Sequence, residues 1–136
     1  MVKELVHDPI LLARRSEPAA PEDLQTAQDL LDTLEAHRES CVGMAANMIG
    51  VHKNIIVFDN DGSPMVMLNP EIIKREGEYR AMEGCLSLSG ERKAIRYREI
   101  EVEYQDQSMK KHTQKFSGWI SEIIQHEMDH LEGILI

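Results

Sequence analysis

The stretch GWISEIIQHEMDHLE, residues 118–132, decides the fold. At about 100° per residue around a helix, measured from His126, His130 lies at about 40° and Glu127 at about 100°. Apolar side chains share that side of the helix: Ile120, Ile123, Ile124 and Leu131. The stretch therefore predicts an amphipathic helix whose apolar face carries two histidines and one carboxylate.

The pattern His126-Glu127-x-x-His130 on such a helix indicates a metal site. Imidazoles four residues apart share a face and can reach one metal ion. The carboxylate beside the first histidine can move the proton of a metal-activated water, and burial would raise its pKa. The alternative is a pair of structural histidines with a hydrogen-bonded core carboxylate. The inward position of Glu127 favours the metal site.

A catalytic metal site needs a third protein ligand and one open position. The candidates are Cys41, Cys85, His7, His37, His52, His112 and the carboxylates. Cys85 is the best of them, because Gly84 gives the backbone freedom directly before it. From the residues alone, ligation by Cys85 and its burial as a small core residue are equally compatible with the sequence.

Composition excludes several classes of protein. The 136 residues are 42% apolar and carry a formal charge of −9, which predicts one domain over residues 1–136 and argues against nucleic acid as a partner. No stretch approaches the ~18 apolar residues of a membrane span, and the N-terminus does not resemble a secretory signal. Two cysteines suit a reducing compartment, so a cytoplasmic location is expected. The oligomeric state is left open.

The remaining elements predict an α+β fold. Leucines and Ala27 at helical spacing indicate an N-terminal helix over residues 21–37, and 60–62 (NDG) indicate a hairpin turn. The strand candidates are 55–58, 65–68, 99–104 and 112–116. The glutamates at 99, 101 and 103 are expected to form a solvated strand face. We therefore expect short antiparallel strands packed around the C-terminal HExxH helix, with the other helix N-terminal to them.

Three motifs resemble those of the peptide deformylase family and follow that family's order over essentially the whole chain. Residues 125–133, QHEMDHLEG, match QHExDHLxG at every fixed position. Residues 83–87 match EGCLS completely. Residues 41–48, CVGMAANM, are similar to GxGLAAxQ. Two complete motifs at the expected separation make chance similarity a poor explanation.

The resemblance implies a metal-dependent enzyme that removes the formyl group from N-formylmethionyl peptides and releases formate. Cys85, His126 and His130 would bind one divalent ion, typically ferrous iron in this family, with zinc or nickel as alternatives in a purified sample. Glu127 would be the general base and acid. The expected partners are nascent formylated peptides, with no nucleic acid and no membrane.

The resemblance also implies how the peptide binds. The backbone N–H of Leu86 would hold the developing oxyanion, and Gly43 would pair with the peptide as an added strand. The methionine side chain would enter an apolar pocket. The implied substrate-binding residues are Gly43, Met44, Met48, Glu83, Arg92 and Ile123. For Arg92, a surface salt bridge is an equal alternative.

The first motif departs from the family pattern. Met48 stands where the family has a glutamine whose amide donates to the oxyanion, and a thioether has no N–H. Loss of one such donor costs ~10²–10³-fold in rate in a comparable case. Cys41 replaces a glycine, and Ser89 replaces a proline. We therefore expect a deformylase of reduced activity, and the alternative is a deformylase-like metal protein with an altered N-acyl substrate or with peptide binding alone.

Overall fold

The computed structural model describes residues 1–85 and 88–134, with the side chains of Cys85, Leu88 and Ser89 outside that description. The helices are α1 (Pro9–Leu12), α2 (Leu24–Ala36) and α3 (Gly118–Leu131), with 3-10 turns at Pro21–Asp23 and Ala46–Ile49. The strands are β1 (Gly43–Ala45), β2 (Ile55–Asn60), β3 (Ser63–Cys85), β4 (Leu88–Gln105) and β5 (Lys111–Ser117).

The five strands form one antiparallel sheet in the order β1-β2-β3-β4-β5. This arrangement, with helices at both ends of the chain, confirms the α+β prediction. Strands β3 and β4 span 23 and 18 residues and are much longer than the short strands expected. Their pairing shifts register near residues 69–70, 73 and 84–85. Such bulges bend and twist paired strands and interrupt the alternation of buried and exposed side chains. The sequence pattern of one long hairpin therefore resembles that of several short strands.

The hairpin turn between β2 and β3 follows the chemistry of its residues. Asp61 and Gly62 have φ values of 53° and 96°, both in the left-handed region. A two-residue connection needs such angles at both positions, and an Asp-Gly pair adopts them at low cost. The turn therefore pairs Asn60 with Ser63 and sets the register of β2 against β3.

Strand β2 lies between two helices. All four residues of 55–58 are buried, as the uninterrupted apolar run predicts. Side chains alternate along a strand, so Ile55 and Val57 pack on one side with α2, whereas Ile56 and Phe58 pack on the other with α3. The metal-site helix is thus fixed against the central part of the sheet.

Helix α3 follows β5 directly and ends at a close contact with the N-terminal region. Ser117 occupies the N-cap position but makes no side-chain capping hydrogen bond. Gly133 has a φ of 78°, and a Cβ there would lie 2.2 Å from the carbonyl oxygen of Ala13. Only glycine therefore fits this position. Within the described residues, no helix has the length and apolar character needed to cross a membrane.

Candidate metal centre and active site

The two motif histidines converge as the i, i+4 spacing predicts. His126 and His130 are buried, and their Nε2 atoms lie 3.1 Å apart. One ligand atom each from His126, Glu127 and His130 fall within 4.8 Å of one another. The buried face of α3 therefore presents two imidazole nitrogens and a carboxylate to one point.

Glu83, at the end of β3, sets the orientation of the first histidine. His126 Nδ1 lies 2.7 Å from Glu83 Oε1, where the ring N–H donates to the carboxylate. This tautomer leaves the lone pair of Nε2 directed toward His130. A carboxylate behind a histidine is the usual support of a metal-binding imidazole.

Glu83 is itself held by a buried arginine on β4. Arg96 Nη2 donates to Glu83 Oε1 at 2.6 Å and Nε donates to Oε2 at 2.9 Å, while Nη1 donates to Asp129 Oδ2 at 2.7 Å. Desolvation raises the pKa of Glu83, but the hydrogen bonds from His126 and Arg96 outweigh it and bring the pKa to about 2. The carboxylate behind His126 is therefore charged.

Glu127 has the opposite environment. Burial raises its pKa to about 7, and burial lowers the pKa of His130 to about 3. Within the described part of the chain, Glu127 Oε1 and His130 Nδ1 have no hydrogen-bond partner. A cation at this point would meet imidazole nitrogens of His126 and His130 and a carboxylate oxygen of Glu127. These residues fit a divalent metal, and the open carboxylate fits a group that exchanges protons.

A cavity of about 390 Å³ opens beside this centre. Its walls come from the segment before β1, the end of β3 and successive turns of α3. The strand β1 approaches α3 so closely that a Cβ on Gly43 would lie 2.9 Å from both Glu127 Oε2 and Ile123 Cγ2. Residue 43 must therefore be glycine for its backbone to border the cavity next to Glu127.

Most of the substrate contacts expected from the sequence border this cavity. They are Gly43, Met48, Glu83 and Ile123. Met44 is fully buried in the core behind the cavity, and Arg92 is half-buried on β4, opposite Glu83 in the strand pairing. Neither of these two is among the described lining residues.

Two predicted site residues cannot be placed in the same way. The backbone of Cys85 ends β3, two positions after Glu83, but its side chain lies outside the description. Leu86 lies outside the described residues altogether. Their roles as metal ligand and oxyanion donor therefore stay predictions.

Met48 borders the cavity, and its side chain contacts the backbone three residues earlier in the chain. The side chain is buried, and its Sδ accepts a hydrogen bond from the backbone N–H of Ala45 at 3.4 Å. No donor extends from this side chain toward the cavity, because a thioether has none. The position at which the first motif departs from the family pattern thus borders the same cavity as His126 and Glu127.

Several residues of the site escaped the sequence analysis. Arg96 alternates with the buried Ala94 along β4, and this period of two could have marked it as a buried charge. Asn47 donates from Nδ2 to the carbonyl oxygens of His130, at 2.9 Å, and Leu12, at 3.3 Å. That contact joins the turn after β1 to α3, and no pattern of neighbouring residues in the sequence predicts it.

The comparisons with known proteins agree with one another. The chain matches the sequence model of the family described as polypeptide deformylase over residues 4–136. A peptide deformylase from Clostridium beijerinckii is 50% identical over 136 residues, and the match covers 100% of both chains.

Solved structures give the same result. The crystal structure of a peptide deformylase from Legionella pneumophila has a TM-score of 0.88 and 32% identity, covering 99% of this chain and 83% of that one. A structure of the Acinetobacter baumannii peptide deformylase with Met-Ala-Ser bound has a TM-score of 0.88 and 26% identity, covering 99% and 97%.

The fold and the HExxH centre define a metal-dependent hydrolase of the amide bond. The chain belongs to the peptide deformylase family. Its reaction is the hydrolysis of the N-formyl group of N-formylmethionyl peptides, which releases formate. The comparisons do not favour the alternative of an altered N-acyl substrate or of peptide binding alone.

Proposed function

We propose that Cys85, His126 and His130 hold a ferrous ion and that Glu127 is the general base and acid of formyl hydrolysis. The observation that carries this proposal is the convergence of two Nε2 atoms, 3.1 Å apart, beside the buried carboxylate of Glu127. Cys85 follows Glu83 by two residues, so its backbone ends close to the carboxylate that supports His126. Two imidazoles and a thiolate suit zinc and nickel as well as iron, so availability decides the metal.

When bound, such a metal supplies Lewis acidity that lowers the pKa of a water and polarises a carbonyl group. Glu127 takes a proton from the attacking water and returns it to the departing amine. In the metal-free protein burial raises the pKa of Glu127 to about 7, the direction expected of a carboxylate that exchanges protons near neutral pH. Glu83 keeps the His126 ring in the tautomer that ligates through Nε2.

The peptide binds along the edge of the sheet. Among the described strands β1 pairs with β2 alone, so its other edge can accept an added strand at Gly43. The methionine side chain enters the cavity beside Ile123, with Met44 supporting the wall from the core. The N–H of Leu86 holds the oxyanion, and Arg92 contacts the peptide chain. The Met-Ala-Ser complex of the Acinetobacter baumannii relative supports binding of a short peptide.

We place this activity in the cytoplasm, where formylated chains emerge during translation. Residues 1–136 act as one domain, because both core clusters share strand β2. The charge of −9 is consistent with a peptide partner rather than a nucleic acid.

The activity is tested by formate release from formyl-Met-Ala-Ser. Protein purified without oxygen and loaded with ferrous iron should turn the peptide over, and a chelator should stop turnover. Glu127→Gln should retain one metal ion per chain while kcat falls about 10²–10⁴-fold, the range for a lost general acid–base group. Loss of the metal together with the activity would make Glu127 a structural residue.

The ligand set is tested by metal content after dialysis. Cys85→Ala, His126→Ala and His130→Ala should each lose the ion. Cys41→Ala is the matched control, because it removes the other thiol of the chain and should retain the ion. Full metal content in Cys85→Ala would show that another residue is the third ligand.

A further inference from the structure

Asn47 is a buried polar residue that the proposed chemistry does not use. It is fully buried and, unlike its neighbour Met48, is not among the described lining residues of the cavity. A buried amide is costly unless it is hydrogen-bonded. Its Nδ2 donates to the backbone carbonyls of His130, at 2.9 Å, and Leu12, at 3.3 Å, while its Oδ1 has no partner among the described residues. The amide N–H groups therefore join the turn after β1 to both α1 and α3.

The bond to His130 lies at the end of the helix that carries both motif histidines. Helix α3 ends at Leu131, and the last carbonyls of a helix have no partner within it. The His130 carbonyl oxygen accepts from the N–H of Gly133, at 3.0 Å, as well as from Asn47. The Leu131 carbonyl oxygen accepts from the N–H of Ser16 at 2.8 Å. Distant parts of the chain thus hold the last turn of α3 in place.

The two motif histidines are held in different ways. His126 is oriented through its ring, because its Nδ1 donates to Glu83. His130 Nδ1 has no hydrogen-bond partner within the residues that the structure describes. The ring of His130 is therefore placed by packing and by the position of its own backbone, and Asn47 binds that backbone.

A metal centre tolerates little displacement of a ligand. Two imidazole nitrogens on one tetrahedral ion lie about 3.3 Å apart, given metal–nitrogen distances of about 2.0–2.1 Å. The Nε2 atoms of His126 and His130 lie 3.1 Å apart, so the protein already holds them close to this separation. A shift of the last helical turn by about 0.5 Å would exceed the ~0.2 Å range allowed for such bonds.

We propose that Asn47 is a positioning residue that fixes His130 in the metal centre by holding the backbone of the last turn of α3. This rests on the proposed function, which makes His130 a metal ligand. In this role Asn47 touches neither the metal nor the peptide and acts through the His130 carbonyl. The first motif then has two tasks, since Gly43 and Met48 border the cavity whereas Asn47 secures the ligand helix behind it.

The test measures zinc affinity by competition with a chelator. Asn47→Ala removes the donor and should weaken zinc binding about 10–100-fold, the range for loss of a residue that supports a metal ligand. Cobalt(II) in place of zinc gives a second readout, because its visible absorption depends on the geometry of its ligands. The cobalt spectrum of Asn47→Ala should differ from that of the unsubstituted protein.

A second pair of variants separates the hydrogen bond from the packing. Asn47→Thr and Asn47→Val have the same shape, but only threonine keeps a donor. Asn47→Thr should bind zinc at least about 5-fold more tightly than Asn47→Val. This pair also decides the question if Asn47→Ala does not fold.

Asn69→Ala is the matched control for a structural role. Asn69 Nδ2 donates to the carbonyl oxygen of Ala19 at 3.0 Å, across 50 residues, and Asn69 is not among the described cavity residues. Its substitution should lower the unfolding free energy, as that of Asn47 does, but change zinc affinity by less than about 2-fold. A purely structural role of Asn47 predicts the same zinc affinity for both alanine variants.

Three results would overturn the role of Asn47. They are zinc affinity in Asn47→Ala within about 2-fold of the unsubstituted protein, an equal loss of affinity in Asn69→Ala, or equal affinities in Asn47→Thr and Asn47→Val. Formate release by the unsubstituted enzyme and loss of the metal in His130→Ala would still leave the proposed function standing. Zinc retained by His130→Ala would instead overturn the proposed ligand set, and the role of Asn47 with it.

Discussion

At the scale of single residues, the surroundings of two glutamates in one site shift their pKa values in opposite directions. Arg96 and His126 stabilise the charge of Glu83 and bring its pKa to about 2. Burial without a compensating partner raises the pKa of Glu127 to about 7. Two carboxyl groups thereby take two roles, one as a permanent charge behind a ligand and one as a group that exchanges protons.

The raised pKa of Glu127 predicts how the metal-free protein responds to pH. Its folded pKa lies above the ordinary value of 4.5, so ionisation is penalised only in the folded state and stability falls as pH rises from about 4.5 to 7. Metal-free Glu127→Gln lacks this penalty. It should match the parent protein at pH 4 and exceed its stability by up to about 3 kcal/mol at pH 8.

The measurement is urea denaturation of both metal-free proteins at the two pH values. The difference in unfolding free energy should grow with pH. An equal difference at pH 4 and pH 8 would contradict the raised pKa.

Substitution of Met48 by glutamine is expected to raise the activity of the enzyme. Met48→Gln introduces an amide N–H beside the reacting centre, while the Gln oxygen can still accept from the Ala45 N–H that Met48 Sδ now engages. We expect kcat to rise by about 10-fold or more on formyl-Met-Ala-Ser. Met48→Leu has similar bulk and no donor, and should show no gain. Equal rates for the two variants would mean that residue 48 does not face the oxyanion.

At the scale of elements, the contact of β1 with α3 limits what residue 43 can be. Gly43→Ala places a methyl group 2.9 Å from Glu127 Oε2 and Ile123 Cγ2, so the strand must move away from the helix. We expect a loss of about 1–3 kcal/mol in unfolding free energy, together with at least about a 10-fold fall in kcat/KM.

A double-mutant cycle that combines Gly43→Ala with Ile123→Ala tests whether the close contact with Ile123 causes the loss of stability. Removal of Cγ2 should recover part of the lost stability, since the methyl group then has space on one side. Additive losses in the double variant would show that the strain arises elsewhere.

At the scale of the whole molecule, one buried ion network joins three elements. Arg96 on β4 binds Glu83 at the end of β3 and Asp129 on α3. Removal of the arginine leaves Glu83 buried without its main counter-charge. Arg96→Met should therefore lower the unfolding free energy by about 3–5 kcal/mol and weaken metal binding by about 10–100-fold, because His126 loses its fixed orientation.

Chemical denaturation and competition with a metal chelator measure the two effects. Arg15→Met is the matched control, because Arg15 pairs with Glu132 on the surface and its loss should change stability by less than about 1 kcal/mol. Unchanged metal affinity in Arg96→Met would show that His126 keeps its orientation without the network.

The sequence by itself determined what depends on neighbours along the chain. The i, i+4 spacing of His126 and His130 places both on one helix face, and the apolar period around them puts Glu127 inside. The run 55–58 determined a buried strand, and the Asp61-Gly62 pair a hairpin turn. Helices and tight turns form through contacts within a few residues, so their signals are local.

Tertiary structure decided what joins distant segments. The Glu83–Arg96–Asp129 network spans separations of 13 and 33 residues, and the Tyr79–Glu122 contact spans 43. The length of the β3–β4 hairpin was also settled by pairing across its bulges. Such contacts depend on how sheet and helix pack together, and residue periodicity carries no information about which distant side chains then meet.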